Sequence, residues 1–365
     1  MRCFRCGEYS KGVQISMSEK HYTEAPEAAA SYRKEYADGI DICAGSLTEQ
    51  AERERRTWAA DIFTDAERYR KEFISMLGKP LCGSFPKAKL IEKRLIAEMD
   101  GCSVYRIVTE SLPGVPFYGL LFLRNEEGRF PLVISQHGGA GTPELCSSLY
   151  ESGSSNYNEM TRRMLRYKVN VYAPQLLLWH ETDEQGNEKI SAIRKSKDAQ
   201  LKACGGSIAA FELYNICCAV SALCDEDKVD SERIGMAGLS YGGLYTMLMS
   251  AVDTRIKASV SCSFFGAIAS HHVPDWNWQN SALRFADAEI AALTWPRDIT
   301  LLMGDKDPLF GCEGSKKQYE ELEMLAGDLP LTEHIRFSTF DGLHEFVRED
   351  EPISHMMEVL RAQEA

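Results

Sequence analysis

The chain has 365 residues, 44% of them hydrophobic and 26% charged, with 27 Gly, 13 Pro and 12 Cys. Those proportions suit a folded protein with a large core and exclude wholesale disorder or a low-complexity architecture. With 41 Lys plus Arg against 54 Asp plus Glu, the net charge of −13 disfavours a phosphate backbone or anionic lipid as partner; neither nucleic acid nor a membrane is expected.

The opening run Met1-Arg2-Cys3-Phe4-Arg5-Cys6 lacks the apolar core of a secretion signal, and no stretch approaches the roughly 20 apolar residues of a membrane span. The expectation is a cytoplasmic protein. Cys3 and Cys6 have redox or zinc spacing without a second pair nearby. Cysteines such as Cys217 and Cys218, set among apolar residues, read as small buried hydrophobes. No metal and no cofactor is expected.

The first quarter is predicted helical. A weak helix is expected over Pro26 to Tyr36. Ser46-Leu47-Thr48-Glu49 has the form of a capping box, in which the Ser hydroxyl accepts from the N3 amide while the Glu reaches back. From Ala51 to Leu77, Trp58, Ile62, Ala66, Tyr69, Phe73, Ile74 and Leu77 recur at three-to-four spacing, predicting one helix that Gly78 and Pro80 terminate. Near residue 88 the character changes. Leu90 to Glu98, Cys102 to Glu110, Phe117 to Arg124 and Phe130 to Gln136 alternate in part and are separated by Gly101, Pro113-Gly114 and Glu127-Gly128, as in a series of hairpins. Beyond them, apolar strand runs (Val169–Ala173, Arg233–Ala237, Lys257–Cys262, Asp298–Met303 and Glu333–Phe340) alternate with helical segments. That order means crossovers, hence a mostly parallel sheet covered on both faces. The expected fold class is α/β, a three-layer domain with an N-terminal helical extension.

One segment carries the strongest chemical signal. The apolar strand Arg233–Ala237 runs into Gly238-Leu239-Ser240-Tyr241-Gly242-Gly243, and Leu244 to Met249 continues as a helix. A strand, a tight turn and a helix around Gly-x-Ser-x-Gly would project the Ser240 hydroxyl from a sharp elbow. A serine needs a base to take its proton. Of eight histidines, His344 stands in a loop, Asp341 to His344, after the last strand, whereas His334 reads as part of that strand and His355 as part of a terminal helix. The strand Ile299–Met303 leads into Gly304-Asp305-Lys306-Asp307-Pro308, where Asp307 is favoured to orient the imidazole and Asp305 to stabilise the turn. An oxyanion needs donors. The Tyr241 amide, directly after the serine, is one; the Gly139 amide, in His137-Gly138-Gly139-Ala140-Gly141, is the other. His137 itself reads as structural. Trp179, Phe264 and Trp276 are candidate pocket aromatics, with sugar rings as one fit for an indole face. His271 and His272 offer only a sparse metal-ligand pair.

Together, His137-Gly138-Gly139, Gly238-Leu239-Ser240-Tyr241-Gly242, Gly304-x-x-Asp307 and Gly342-Leu343-His344 resemble the α/β-hydrolase superfamily. The detail is most similar to its dienelactone-hydrolase and acetyl-xylan-esterase-like branches. Val229 to Gly235, Trp295-Pro296-Arg297-Asp298, Gly205 to Ile208 and Met76-Leu77-Gly78 add to the likeness, which covers the chain from about residue 58 onward. The resemblance implies an α/β-hydrolase fold over 80–365 after a helical extension over 1–79. It also implies hydrolysis of a small carboxylic ester, such as an acetylated sugar, through an acyl-enzyme on Ser240, with Asp307 and His344 completing the triad. Two departures stand out: Gln175 replaces the Asp of many relatives, and a dienelactone hydrolase proper has Cys in place of Ser240. A small peptidase of the prolyl-oligopeptidase type and a catalytically silent binding protein are the rival readings. The N-terminal helices leave a homo-oligomer contact open.

Overall fold

The computed structural model describes residues 22–150, 156–268 and 273–362. Cys3, Cys6, His271 and His272 therefore lie outside the described residues. The chain divides into two compact units, 1–50 and 51–365. The boundary expected at 79/80 coincides instead with the switch from helices to strands.

A short 3-10 turn, Pro26–Ala29, opens the described part of the first unit and leads into a helix that runs Ala30–Trp58, past the division at 50/51. Ser46 to Glu49 lie inside this helix, and Thr48 Oγ1 donates back to the Ala44 carbonyl. The capping-box reading is thereby corrected: nothing upstream of Ser46 stops the helix, so its hydroxyl has no helix start to cap. The single helix expected over Ala51–Leu77 is also interrupted. The chain turns after Trp58 and resumes as the helix Ala66–Leu77. Tyr69 holds the turn, its hydroxyl reaching the Trp58 carbonyl and the Asp61 carboxylate, while Ile62 is buried beneath it.

The second unit is built on one nine-stranded sheet. Its strands are β1 (Lys89–Met99), β2 (Cys102–Glu110), β3 (Pro116–Arg124), β4 (Phe130–Gln136), β5 (Asn170–Pro174), β6 (Val229–Leu239), β7 (Ile256–Cys262), β8 (Asp298–Gly304) and β9 (Ile335–Phe340). Their order is β1-β2-β3-β5-β4-β6-β7-β8-β9. Strands β1, β2, β3 and β5 pair antiparallel in succession, and from β5 onward every pairing is parallel. The hairpin series thus ends at β3. Strand β4 does not fold back on β3 but lies between β5 and β6, where both its faces are buried. Its run Pro131 to Gln136 has no solvent face, which is the mark of a central parallel strand.

Period-two alternation sends neighbouring residues to opposite layers. Leu132, Ile134, Ile234 and Met236 enter one core with the helices Ile208–Leu223 and Tyr241–Val252. Val133, Ala237, Leu239 and Val260 enter the other, against Met160, Met164 and the helix Glu351–Val359. Strand β1 forms an exposed edge carrying two register irregularities and alternating charge, devices that discourage further strand addition. Because β4, β6, β7, β8 and β9 run parallel, the loops after them gather at one rim of the sheet, where ligands of such folds bind.

Candidate active site

Ser240 is the single residue between β6 and the helix Tyr241–Val252, with φ +59° and ψ −123°. For a residue with a Cβ this costs on the order of 1–3 kcal/mol, which the surrounding packing must offset. The two flanking glycines make the turn possible. A Cβ on Gly238 would lie 2.2 Å from the Gly242 carbonyl oxygen, and one on Gly242 would lie 2.2 Å from that of Gln136. The backbone of the elbow is pinned by Ser240 N–H donating to the Cys262 carbonyl at 2.9 Å. The hydroxyl makes no capping bond to its own helix and is partly exposed.

Two further loops lie at the same rim of the sheet, though no hydrogen bond joins Ser240 to His344 among the described residues. After β8 and β9, Asp305 N–H donates to the Phe340 carbonyl (2.9 Å) and Lys306 N–H to that of Gly342 (3.0 Å). Asp305 Oδ1 accepts from Gly342 N–H, so this carboxylate braces the turn. Asp307 Oδ2 lies 2.7 Å from His344 Nδ1, and its Oδ1 accepts from the amides of Leu309 (2.8 Å) and Phe310 (3.2 Å). Burial alone would raise the Asp307 pKa; the His344 bond and the two amides outweigh it and hold the carboxyl below its ordinary range. The imidazole therefore carries its proton on Nδ1, leaving Nε2 a free acceptor, without a hydrogen bond among the described residues. The side chain is 14% exposed. Cys262 joins the loops: its carbonyl holds Ser240, while its thiol and the Ser263 hydroxyl donate to the carbonyl of Glu345, the residue after His344.

The loop after β4 completes the rim. His137 is fully buried. Its Nε2 accepts from Leu176 N–H (3.0 Å) and from the Gln175 carboxamide (3.1 Å), so the ring proton sits on Nδ1 and is donated to the Gly138 carbonyl at 2.8 Å. Burial pushes this imidazole down to about 4, and it is neutral near pH 7. Gln175, the departure from the Asp of many relatives, thus supplies a donor to a neutral ring. Gly138 abuts the elbow: a Cβ there would come 3.1 Å from Ser240 Cβ. One on Gly139 would sit 3.5 Å from the Tyr241 ring. As the first helical residue, Tyr241 has an amide with no intrahelical acceptor.

Gly139 and Tyr241 line a cavity of about 210 Å³ together with Ala140, Leu177, Leu178 and Trp179. Trp276 faces a different cavity, of about 450 Å³, with Val273 and Phe310. Phe264 is wholly buried; it supports Trp276 (ring centroids 4.9 Å) and Phe310 (5.5 Å), and Phe310 meets the edge of His344 at 5.4 Å.

Arg194 and Asp275, which also line the smaller cavity, belong to a buried ionic cluster that the sequence reading did not identify. Arg194 donates through Nε to Asp275 (2.6 Å), through Nη1 to both oxygens of Glu212 (3.0 and 2.9 Å) and through Nη2 to the Tyr245 hydroxyl (2.9 Å). The Tyr241 hydroxyl donates to Asp275 at 3.1 Å, and the Arg194 guanidinium lies 5.3 Å from the centre of the Tyr241 ring. One signal was available: Glu212 is the lone charged residue in the mostly apolar helix Ile208–Leu223.

No protein-family model matches the chain, and no curated protein matches it in sequence. Solved structures do match. A Bacteroides fragilis protein assigned as an acetyl xylan esterase superposes with TM-score 0.59 at 13% identity, over 82% of each chain. A glucuronoyl esterase from Solibacter usitatus gives 0.58 at 13% identity, over 80% of this chain and 91% of its own. A methylesterase gives 0.56 at 18% identity, over 90% of this chain and 69% of its own. With 780 chains matching, such a likeness identifies an architecture and not a substrate. Strand order, the elbow after β6 and these superpositions agree: the chain has the α/β-hydrolase fold.

Proposed function

We propose that the protein is a serine esterase. His344 Nε2 takes the hydroxyl proton as Ser240 Oγ attacks the ester carbonyl. The carbonyl oxygen becomes an oxyanion held by the amides of Tyr241 and Gly139, and Asp307 balances the imidazolium. Collapse expels the alcohol, which receives its proton from His344. Water, deprotonated by the same imidazole, then attacks the acyl-enzyme, releasing the acid and restoring Ser240.

The observation that carries this reading is the 2.7 Å Asp307–His344 bond in a loop tied, through Cys262, to the strained Ser240 elbow. A depressed carboxylate, a Nδ1-protonated imidazole and an open helix N-terminus form the division of labour that acyl transfer needs. The apolar walls Leu177, Leu178 and Trp179 and the small volume beside Gly139 suit a short acyl group. Similarity to acetyl xylan, glucuronoyl and methyl esterases favours a carbohydrate ester as substrate. The test is a panel of p-nitrophenyl esters of increasing acyl length, acetylated sugars and aminoacyl-p-nitroanilides, run on the wild type and Ser240→Ala. Turnover of short esters that Ser240→Ala abolishes supports the proposal. Preference for the anilides would make the protein a peptidase, and no turnover of any member would favour a silent binding protein.

A further inference from the structure

We propose that Arg194, locked between Glu212 and Asp275, is a positioning residue that sets the Tyr241 oxyanion amide through the Tyr241 side chain. The inference rests on the serine-esterase reading and adds to it a part for side chains that act through Tyr241.

Glu212, Arg194 and Asp275 are all nearly inaccessible to water, and together they carry one cation against two carboxylates. Burying such a group is costly, and apolar residues of similar volume would stabilise the fold at least as well. Its location gives the cluster a use. The three charges come from the helices Lys189–Ala203 and Ile208–Leu223 and from the short turn Pro274–Trp276, and two of them, Arg194 and Asp275, meet at one aromatic ring. Tyr241 is held at every side of that ring: its hydroxyl by Asp275, one face by the Arg194 guanidinium, an edge by Trp276 (centroids 5.6 Å), and Gly139 alongside. Burial foremost, then the Asp275 charge, raise the phenol far above its ordinary range, so it remains a donor. Glu212 also accepts from Leu177 N–H at 2.7 Å, tying the same cluster to the loop that walls the cavity.

The consequence is geometric. Tyr241 and Gly139 supply the two oxyanion donors, and the Tyr241 ring is the spacer against which Gly139 rests. Fixing the ring fixes both the side-chain torsion at the helix start and the gap between the two amides. Oxyanion stabilisation depends on donors lying within a few tenths of an ångström of their place in the transition state. A clamp that acts there changes kcat and spares KM, because the ground-state carbonyl demands less of the two amides.

The experiment uses Tyr241→Phe, which keeps the ring and deletes only the bond to Asp275, beside Asp275→Ala and Asp275→Asn. Arg194→Met, which strands two buried carboxylates and risks unfolding, is a secondary probe. Against a short p-nitrophenyl ester, Tyr241→Phe and Asp275→Ala are expected to lower kcat about ten- to thirtyfold with KM within about twofold, as suits loss of a charge-assisted bond. Affinity for a trifluoromethyl ketone, which forms the tetrahedral oxyanion on the serine, falls by the same factor. Asp275→Asn, which keeps an acceptor for both the phenol and Arg194 Nε, recovers most of the loss. If folded Tyr241→Phe retains kcat and ketone affinity within twofold of wild type, or changes only thermal stability, the clamp is refuted. An inert wild type, or activity surviving Ser240→Ala, overturns the serine-esterase reading instead, so the two failures are separable.

Discussion

Replacing Asp307 by Asn changes one heavy atom and inverts the proton inventory of the proposed base, His344. Asp307 Oδ1 accepts from the amides of Leu309 and Phe310, while Oδ2 accepts from His344 Nδ1. An Asn side chain has one acceptor. Two backbone donors claim it, since leaving them unpaired in this part-buried loop is unfavourable. The carboxamide NH2 therefore faces His344, whose Nδ1 must become an acceptor. The neutral ring then carries its proton on Nε2 and can no longer take one from Ser240. The expected loss is about 10³–10⁴ in kcat, about 4–5.5 kcal/mol of barrier. The assay is p-nitrophenyl acetate hydrolysis with burst kinetics, and circular dichroism shows whether the near-isosteric variant keeps its fold. A folded Asp307→Asn protein within tenfold of wild type would refute the tautomer argument.

Acid should weaken the fold through His137. Its pKa is about 4 in the folded protein against an ordinary 6.5, so the unfolded chain takes up the proton first. The stability from this burial is fully present above about pH 6.5 and is lost as pH falls towards 4, by up to about 3 kcal/mol. Urea midpoints at pH 7 and 4.5 measure it, and a His137→Asn protein with an equally steep acid loss would contradict it. Arg55→Met should cost about 3–5 kcal/mol, because Glu289, bonded to Arg55 at 3.0 Å and as deeply buried, would be stranded. Adding Glu289→Gln should restore part of that, read from the same unfolding curves; no recovery would mean that packing, not charge, governs the site. Gly242→Ala forces a Cβ to 2.2 Å from the Gln136 carbonyl oxygen, so the elbow must open. Activity should fall at least a hundredfold; ordinary turnover in this variant would show that the close approach is dispensable.

The strands were legible because each is a short apolar run bounded by turn residues, and every expected run has its strand within a few residues at either end. Their pairing was not. Phe130–Gln136 alternates no differently from its neighbours, and its place between β5 and β6 follows from a crossover decided by tertiary packing. The break at Trp58 escaped notice for a related reason: the three-to-four spacing continues through Ile62 and Ala66, while the turn is held by the Tyr69 hydroxyl, a contact that periodicity does not encode. Ser240, Asp307 and His344 could be nominated because strand ends announce the loops that hold them. The Arg194 cluster joins residues 194, 212, 241, 245 and 275, of which only Glu212, the lone charge of its helix, stands out in its own segment. Only the fold makes them neighbours.

The most direct test of the central claim is peptide mapping after reaction with a fluorophosphonate, which phosphonylates a serine hydroxyl only where a base activates it. One adduct per chain, on the peptide containing Ser240 and absent from His344→Ala, is the expected result. Labelling elsewhere, or none at all by active, folded protein, would contradict the assignment of Ser240 as nucleophile.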